Sequence, residues 1–272
     1  MASDVLLEAL AAGIEVFDLA RPLQVGMPQS PNHPEFRHSL PRRHGDMVRS
    51  DGGSAANDLI VLGTHVGTHV DALCHVSHDG LLHGGYDAAT AQVGGRFSVH
   101  GAETIPPTLC RGLLLDIPAA LGLTSCVPGY EITAADLRLA IETQGTSPRP
   151  GDAILIRSGW GQRWEDKAGY LGLASGVPGC GEEGAKYLAS LDVRFVGADT
   201  IAFEQLKPGA GHATLPAHRV LLVEHGIYIL ETLQLEELAT AGVHEFVFVL
   251  APLPLVGATG SPVRPLAVRT RA

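Results

Sequence analysis

Residues 65–75 read HVGTHVDALCH, and both the fold and the function of the chain are best approached from this stretch. Its valines and threonines favour an extended backbone, on which His65, His69 and Asp71 share one face. At about 3.3 Å per residue, His69 and Asp71 would stand about 7 Å apart, but His65 and His69 about 13 Å apart. A straight strand therefore cannot bring both histidines to one ion. The sequence predicts a bend at Gly67, midway between them.

Two imidazoles and one carboxylate form the ligand set of an open catalytic metal site, whereas closed structural zinc sites are rich in cysteine. Zinc and manganese both suit this set, so the sequence predicts a divalent cation without choosing between the two. Cys74 is not expected to be a further ligand. His75 stands four residues after Asp71, and a helical turn there would direct its ring to the same side as a proton carrier. The alternative is that these are buried polar side chains, each hydrogen-bonded to the backbone.

The chain of 272 residues carries 19 Lys and Arg against 29 Asp and Glu, a net charge of −10. Such an acidic surface repels nucleic acids and anionic membranes, so neither is an expected partner. The four cysteines form no C-x-x-C pair, which is typical of a reducing, cytoplasmic setting. The N-terminus lacks the basic region of a signal peptide. The longest apolar run, 246–258, contains two prolines and is shorter than the roughly 20 residues that span a membrane.

Short apolar runs alternate with helical patterns, which predicts one α/β domain over residues 1–272. Eight strands are predicted, at 16–19, 58–62, 112–117, 153–157, 193–198, 227–230, 245–250 and 263–268. Several of these are apolar throughout, so both faces are expected to be covered. Three helices are predicted, at 133–145 with a capping box at Thr133 and Asp136, at 182–191 and at 215–225. Residues 20–57 and 80–110, rich in Gly, Pro, His and Ser, are predicted to be long ordered loops.

Residues 179–184 read GCGEEG and match the dinucleotide-binding pattern G-x-G-x-x-G ahead of a predicted helix. Residues 170–178 are rich in Gly and Pro, so no strand is expected to lead into the motif. Glu182 and Glu183 would also place two negative charges where a pyrophosphate must bind. We therefore predict no dinucleotide cofactor, and we expect the two acids to complement the helix dipole.

The motif His65-x-Gly-Thr-His69-x-Asp71-x-x-x-His75 resembles the signature of the metal-dependent cyclase family, which includes bacterial kynurenine formamidases and isatin hydrolases. The resemblance extends to segments 18–19, 196–200, 226–231 and 261–264, so it covers nearly the whole chain. It implies an α/β fold in which a mixed sheet surrounds a small β-barrel with peripheral helices. It also implies a homodimer or a homotetramer that acts on a small-molecule substrate.

The resemblance further implies a role for individual residues. The metal ligands that it implies are His65, His69, Asp71, His218 and Glu231. The family pattern gives one or two ions per chain, with Asp71 bridging between them. His75 is implied as the catalytic acid/base.

His218 and Glu231 can also be interpreted without the family. His218 falls in the first turn of the predicted helix 215–225, and Glu231 follows the predicted strand 227–230. A carboxylate after an apolar strand is costly to bury unless a cation or a hydrogen-bond donor meets it. The alternative is a histidine near a helix end and a glutamate that simply begins the next loop.

These observations predict a metal-dependent hydrolase that cleaves a C–N bond in an amide, an aryl-formamide or a small lactam. The ion would activate water and polarise the substrate carbonyl, and His75 would carry the proton to the departing nitrogen. Kynurenine formamidases usually have proline where this chain has Leu73, so the motif leaves the substrate open. One alternative is a lactone hydrolase or a dehydratase acting on a hydroxy acid. Another is a non-catalytic metal- or ligand-binding protein, which would not need His75.

Overall fold

The computed structural model describes residues 5–271, and its largest element is a curled mixed β-sheet. The strands are β1 Ile14–Asp18, β2 Arg37–Arg42, β3 Asn57–Val61, β4 His69–Asp71, β5 Gln92–Val93, β6 Arg96–Phe97, β7 Thr108–Asp116, β8 Glu131–Ile132, β9 Ala153–Arg157, β10 Gly179–Cys180, β11 Phe195–Ala198, β12 Tyr228–Glu231, β13 Glu245–Leu250, β14 Gly260–Pro262 and β15 Leu266–Thr270. The α-helices are α1 Val5–Ala12, α2 Ala88–Ala91, α3 Ile117–Ala120, α4 Ala134–Gln144, α5 Lys167–Leu171, α6 Glu182–Ser190, α7 Pro216–His218 and α8 Glu236–Thr240. A π-helix covers Arg219–Glu224, and short 3₁₀ helices cover His83–Gly85, Ala102–Thr104 and Trp160–Arg163.

Nine of the strands within residues 5–271 form the main sheet, in the order β1-β15-β13-β7-β9-β11-β12-β4-β14. The central strands β7, β9, β11 and β12 run parallel to one another, whereas the strands on either side pair antiparallel. The sheet curls into a half-barrel accompanied by helices. The predicted mixed α/β fold is therefore confirmed. The division of the whole chain 1–272 into domains stays a prediction, since residues 1–4 and 272 lie outside the described part.

The two faces of the sheet pack against separate hydrophobic cores. Along β9, Ala153 and Leu155 face the core that contains the buried phenylalanines of β13. Ile154 and Ile156, the alternate residues, face the core formed with α4, α6 and the π-helix. All five residues of β9 are buried, so this apolar strand is covered on both faces as predicted.

The helices follow the predicted end signals closely. Thr133 Oγ1 accepts a hydrogen bond from Asp136 N, and the Asp136 carboxylate accepts one from Thr133 N, which completes the predicted capping box of α4. The predicted helix 215–225 forms in two parts, as α7 and then the π-helix, before Gly226 with a φ of +67°. Among residues 5–271, no helix has the length and hydropathy required to cross a membrane.

The prediction of long loops is wrong in two places. Segment 20–57 contains β2, which pairs antiparallel with β3 to form a separate two-stranded hairpin, and segment 80–110 contains α2 and the β5–β6 hairpin. Five of the six residues of β2 are exposed, as are all five of β3. A strand that buries neither face carries no alternating pattern, so the sequence gives no periodic signal for it. The predicted strand 58–62 exists as β3, but it belongs to this hairpin and not to the main sheet.

The glycines of segment 179–184 are required by close packing. A Cβ on Gly179 would collide with the backbone carbonyl of Glu204, and one on Gly184 would lie 2.7 Å from Cys180 Sγ. Glu182 begins α6 and pairs with Arg219 at 2.6 Å. No strand of the described chain leads into the motif, as expected, and its own first two residues form the short strand β10 beside β8.

Candidate metal centre

The backbone bends at Gly67, as the sequence predicts. Gly67 has a φ of +69°, and a Cβ there would approach Leu23 Cδ2 to 2.5 Å. Gly260 on β14 leaves room for the ring of His65, since a Cβ at position 260 would lie 2.7 Å from His65 Cε1. The bend folds His65 back so that its Nδ1 lies 2.7 Å from Asp71 Oδ1, although a straight strand would keep the two apart.

Asp71 lies at the centre of the cluster and is fully buried. Its Oδ1 contacts His65 Nδ1 and lies 3.5 Å from His69 Nε2. Its Oδ2 lies 3.6 Å from His218 Nε2. One carboxylate therefore faces three imidazoles, and it uses both oxygens to do so.

Glu231 reaches the same cluster through strand pairing. It ends β12 and lies directly opposite His69 in the antiparallel pair of β12 with β4. Its Oε2 is 3.4 Å from His69 Nε2, and its Oε1 is 3.2 Å from His218 Nε2. The structure thus brings together all five side chains for which metal binding was predicted.

The donor atoms of this cluster fit a divalent cation. His69 Nε2 and Asp71 Oδ2 are buried without a hydrogen-bond partner, although groups of opposite charge lie 3.4–3.6 Å from them, so both atoms are free to bind a cation. The donor atoms of two groups of side chains are close enough to share an ion, since within each group they lie within 4.8 Å of one another. One group is His65, Asp71 and His75, and the other is His69, Asp71 and Glu231. Imidazole nitrogens and carboxylate oxygens are ligands that zinc and manganese accept. The grouping differs from the family pattern, since it places His75 with His65, places His69 with Glu231, and leaves His218 out.

The charges of the cluster also suit a dication. Burial lowers the pKa of His69, but the carboxylates of Asp71 and Glu231 outweigh it and raise this pKa to about 10. Burial likewise lowers the pKa of His218, yet Glu204 and Glu231 raise it to about 10. Burial raises the pKa of Glu231, but the two histidines lower it to about 2. Two imidazolium charges thus balance the carboxylates of the cluster, and a dication would take their place.

A second layer of contacts orients the three imidazoles. His69 Nδ1 donates to Gly67 O at 2.9 Å, because a carbonyl can only accept, and this leaves Nε2 directed at the carboxylates. His218 Nδ1 lies 3.1 Å from Glu204 Oε1, and His65 Nε2 lies 2.8 Å from Thr259 Oγ1. Such partners fix the tautomer and the ring orientation of metal-binding histidines.

Sequence reasoning missed Glu204, Thr259 and His33. Glu204 is buried and also accepts a hydrogen bond from His218 N at 2.6 Å. The available signal was a glutamate within the apolar segment 201–206, IAFEQL, where an acid needs a partner. Thr259 lies in a loop without any motif. His33 stacks on His65 with ring centroids 5.3 Å apart, and it comes from the segment that was predicted to be a loop.

His75 lies beside the cluster and follows a turn in which its N–H donates to Ala72 O at 2.9 Å. Its ring stacks on that of His65 with centroids 3.8 Å apart and lies 6.3 Å from the ring of His218. Burial lowers the pKa of His75 to about 3, although Asp71 opposes the decrease. The imidazole is therefore neutral at physiological pH and able to accept a proton.

Cys74 behaves differently from its histidine neighbour. Its thiol donates to Ala258 O at 3.6 Å, and burial raises its pKa to about 12. The thiolate that a metal requires is therefore strongly disfavoured. This agrees with the expectation that Cys74 is not a ligand.

The half-barrel carries a buried cluster of histidines and carboxylates, which is the donor set of a metal-dependent enzyme. The sequence model described as putative cyclase matches residues 17–205, which include the whole 65–75 motif. The isatin hydrolase of Roseibium aggregatum is 25% identical over 270 residues, which cover 97% of this chain and 95% of that protein. The kynurenine formamidase of Bacillus cytotoxicus is 23% identical over 253 residues, which cover 92% and 95% of the two chains.

A solved structure described as a novel cyclase superposes with a TM-score of 0.85 at 29% identity, and the match covers 99% of this chain and 94% of that one. The chain belongs to the putative cyclase family. The predicted family and the prediction of an enzyme are thereby confirmed. The relatives that carry a functional name are hydrolases.

Proposed function

We propose that this protein is a metal-dependent hydrolase that cleaves a C–N bond in an amide, an aryl-formamide or a small lactam. The observation that carries the proposal is a buried cluster in which His69 Nε2 and Asp71 Oδ2 have no hydrogen-bond partner, while the other oxygen of Asp71, Oδ1, lies 3.5 Å from His69 Nε2. The likeness to proteins named isatin hydrolase and kynurenine formamidase supports C–N bonds as the target, because isatin is a lactam and a formamidase cleaves a formamide.

The ligands of one or two ions, zinc or manganese, are assigned to His65, His69, Asp71, His218 and Glu231. The ion supplies Lewis-acid activation of water and polarisation of the substrate carbonyl when it is bound. The protein supplies orientation, since each of the three imidazoles is held by a hydrogen bond through the ring nitrogen that faces away from the carboxylates of Asp71 and Glu231. Burial of all five side chains excludes bulk water and strengthens the electrostatic interactions among them.

His75 is assigned as the acid/base. It takes a proton from the attacking water and gives it to the departing nitrogen. Its stacking on His65 keeps the ring beside the centre, and the neutral imidazole has one ring nitrogen with a free lone pair. The side chain is only half-buried, so it can meet a substrate from the solvent side.

A cavity next to the centre is assigned as the route of the substrate. It has a volume of about 490 Å³ and is lined by residues 76–78, 212–216 and Arg219. The first segment directly follows His75, and the second ends two residues before His218. The volume is in the range that small-molecule sites occupy.

The test is a turnover screen. Protein loaded with Mn²⁺ or Zn²⁺ is incubated with N-formylkynurenine, isatin, simple lactones and hydroxy acids, and a chelator-treated sample serves as the control. We expect hydrolysis of an amide, a formamide or a lactam that requires the metal. Turnover of lactones alone, or dehydration alone, would contradict C–N cleavage. A fully loaded protein that converts none of these compounds would favour the non-catalytic alternative.

A further inference from the structure

Thr68 connects the two strands that carry His69 and Glu231. Thr68 is 2% exposed, and its Oγ1 accepts a hydrogen bond from Arg21 N at 2.8 Å. The same hydroxyl donates to Thr232 O at 2.7 Å. One buried hydroxyl therefore bridges three segments that are distant in the sequence.

The bridge lies one residue beyond the end of the strand pairing. The pairs of β4 with β12 are Val70 with Leu230 and His69 with Glu231. Thr68 precedes His69, and Thr232 follows Glu231. The hydroxyl thus extends the connection between the strands at the end where both ligand side chains leave the sheet.

Thr232 needs such support because its backbone is strained. It has a φ of +59°, in the left-handed region that non-glycine residues rarely adopt. Two hydrogen bonds hold it, one from its own N to Thr200 O at 2.9 Å and one from the Thr68 hydroxyl to its carbonyl. This conformation fixes the backbone directly after Glu231.

We propose that Thr68 is a positioning residue, whose hydroxyl holds His69 and Glu231 in register for a metal ion. This inference rests on the proposed metal centre. Thr68 touches neither the ion nor the substrate, and it acts through the backbones of its two neighbours. The hydroxyl reduces the freedom of His69 Nε2 and Glu231 Oε2, which lie 3.4 Å apart, before the ion binds.

The test compares Thr68→Val, which keeps the shape and removes the hydroxyl, with Thr68→Ser, which keeps the hydroxyl. The dissociation constants of Zn²⁺ and Mn²⁺ are measured on the folded apoprotein by competition with a chromophoric chelator. We expect Thr68→Val to weaken binding by about 10- to 100-fold, as removal of an outer-layer partner typically does. Thr68→Ser should remain close to wild type.

Thr108→Val is the matched control. Thr108 is also buried, and its hydroxyl donates to Pro106 O at 2.8 Å, on β7, which three strands separate from β4. Removal of the Thr108 hydroxyl should lower the thermal midpoint without changing the dissociation constants of Zn²⁺ and Mn²⁺. A purely structural role of Thr68 would give this same pattern in Thr68→Val, and that result would overturn the proposal.

If Thr68→Val does not fold, Thr68→Cys replaces it, because a thiol of similar size is a weaker donor. If Thr68→Cys binds the metal ion more weakly than Thr68→Ser, the proposal is supported. If Thr68→Cys binds the ion as tightly as wild type, the proposal is overturned. A wild-type protein that binds neither ion would overturn the proposed metal centre together with the role of Thr68. If the wild type binds metal and the Thr68 variant binds it with the same dissociation constant, only the proposed role of Thr68 is overturned.

Discussion

Asp71→Ala is expected to remove all bound metal and to reduce hydrolysis to the rate of the uncatalysed reaction. Asp71 faces three imidazoles with its two oxygens, and both groups of close donor atoms include it. Asp71 is assigned to both ions. Without its carboxylate, one ion keeps only His65 and His69 and the other only His218 and Glu231, and two protein ligands are too few to hold an ion against water. Metal per chain is measured by elemental analysis after dialysis, together with the rate on the authentic substrate.

Two comparisons make this experiment specific. Glu231→Gln keeps the side-chain volume and removes the charge, and it should lose no more than one ion per chain, because Glu231, which pairs with His69 and His218, is assigned to one ion. Asp152→Ala removes another buried carboxylate, which caps Arg149 N at 2.7 Å and should leave the metal content unchanged. Retention of the wild-type metal content by Asp71→Ala would contradict the assignment.

His75→Ala is expected to lower kcat by about 100- to 10,000-fold, the usual effect of losing a positioned acid/base. Metal content and thermal midpoint should stay near wild type. The decrease should appear equally in kcat and kcat/KM, because the interaction belongs to the transition state. Steady-state kinetics with the loaded protein measure both constants.

His225→Ala serves as the control for this variant, since His225 is an exposed histidine at the end of the π-helix. A His75→Ala protein that turns over at the wild-type rate would exclude the proton-carrier role. A variant that loses its metal would instead make His75 a ligand, as its position within 4.8 Å of donor atoms on His65 and Asp71 permits.

The local sequence predicts well the strands that carry a clear apolar pattern and the helix that carries clear end signals. β9 and β13 have the predicted bounds 153–157 and 245–250, because buried strands carry continuous or alternating apolar residues. α4 lies between its predicted caps Thr133 and Gly145. The bend at Gly67 was predicted from distance alone, since two histidines four residues apart cannot meet on a straight strand.

The remaining features depend on contacts between distant segments. The register of β12 on β4, which sets Glu231 opposite His69, is not contained in either local pattern. Without the family resemblance, His218 and Glu231 were equally consistent with a helix end and a loop. Glu204 contacts His218, 14 residues later, and Thr259 contacts His65, 194 residues earlier, so no local spacing rule identifies either contact. The exposed hairpin of β2 and β3 was missed because strands without a buried face lack periodicity.

The most direct test of a metal-dependent hydrolase centred on Asp71 is a titration of the chelator-treated protein with Mn²⁺ or Zn²⁺. Bound ions per chain and the rate of C–N hydrolysis are recorded on the same samples. We expect no hydrolysis without metal and a rate that rises in proportion to the ions bound, in wild type and not in Asp71→Ala. Full turnover by protein that contains no metal would contradict the account.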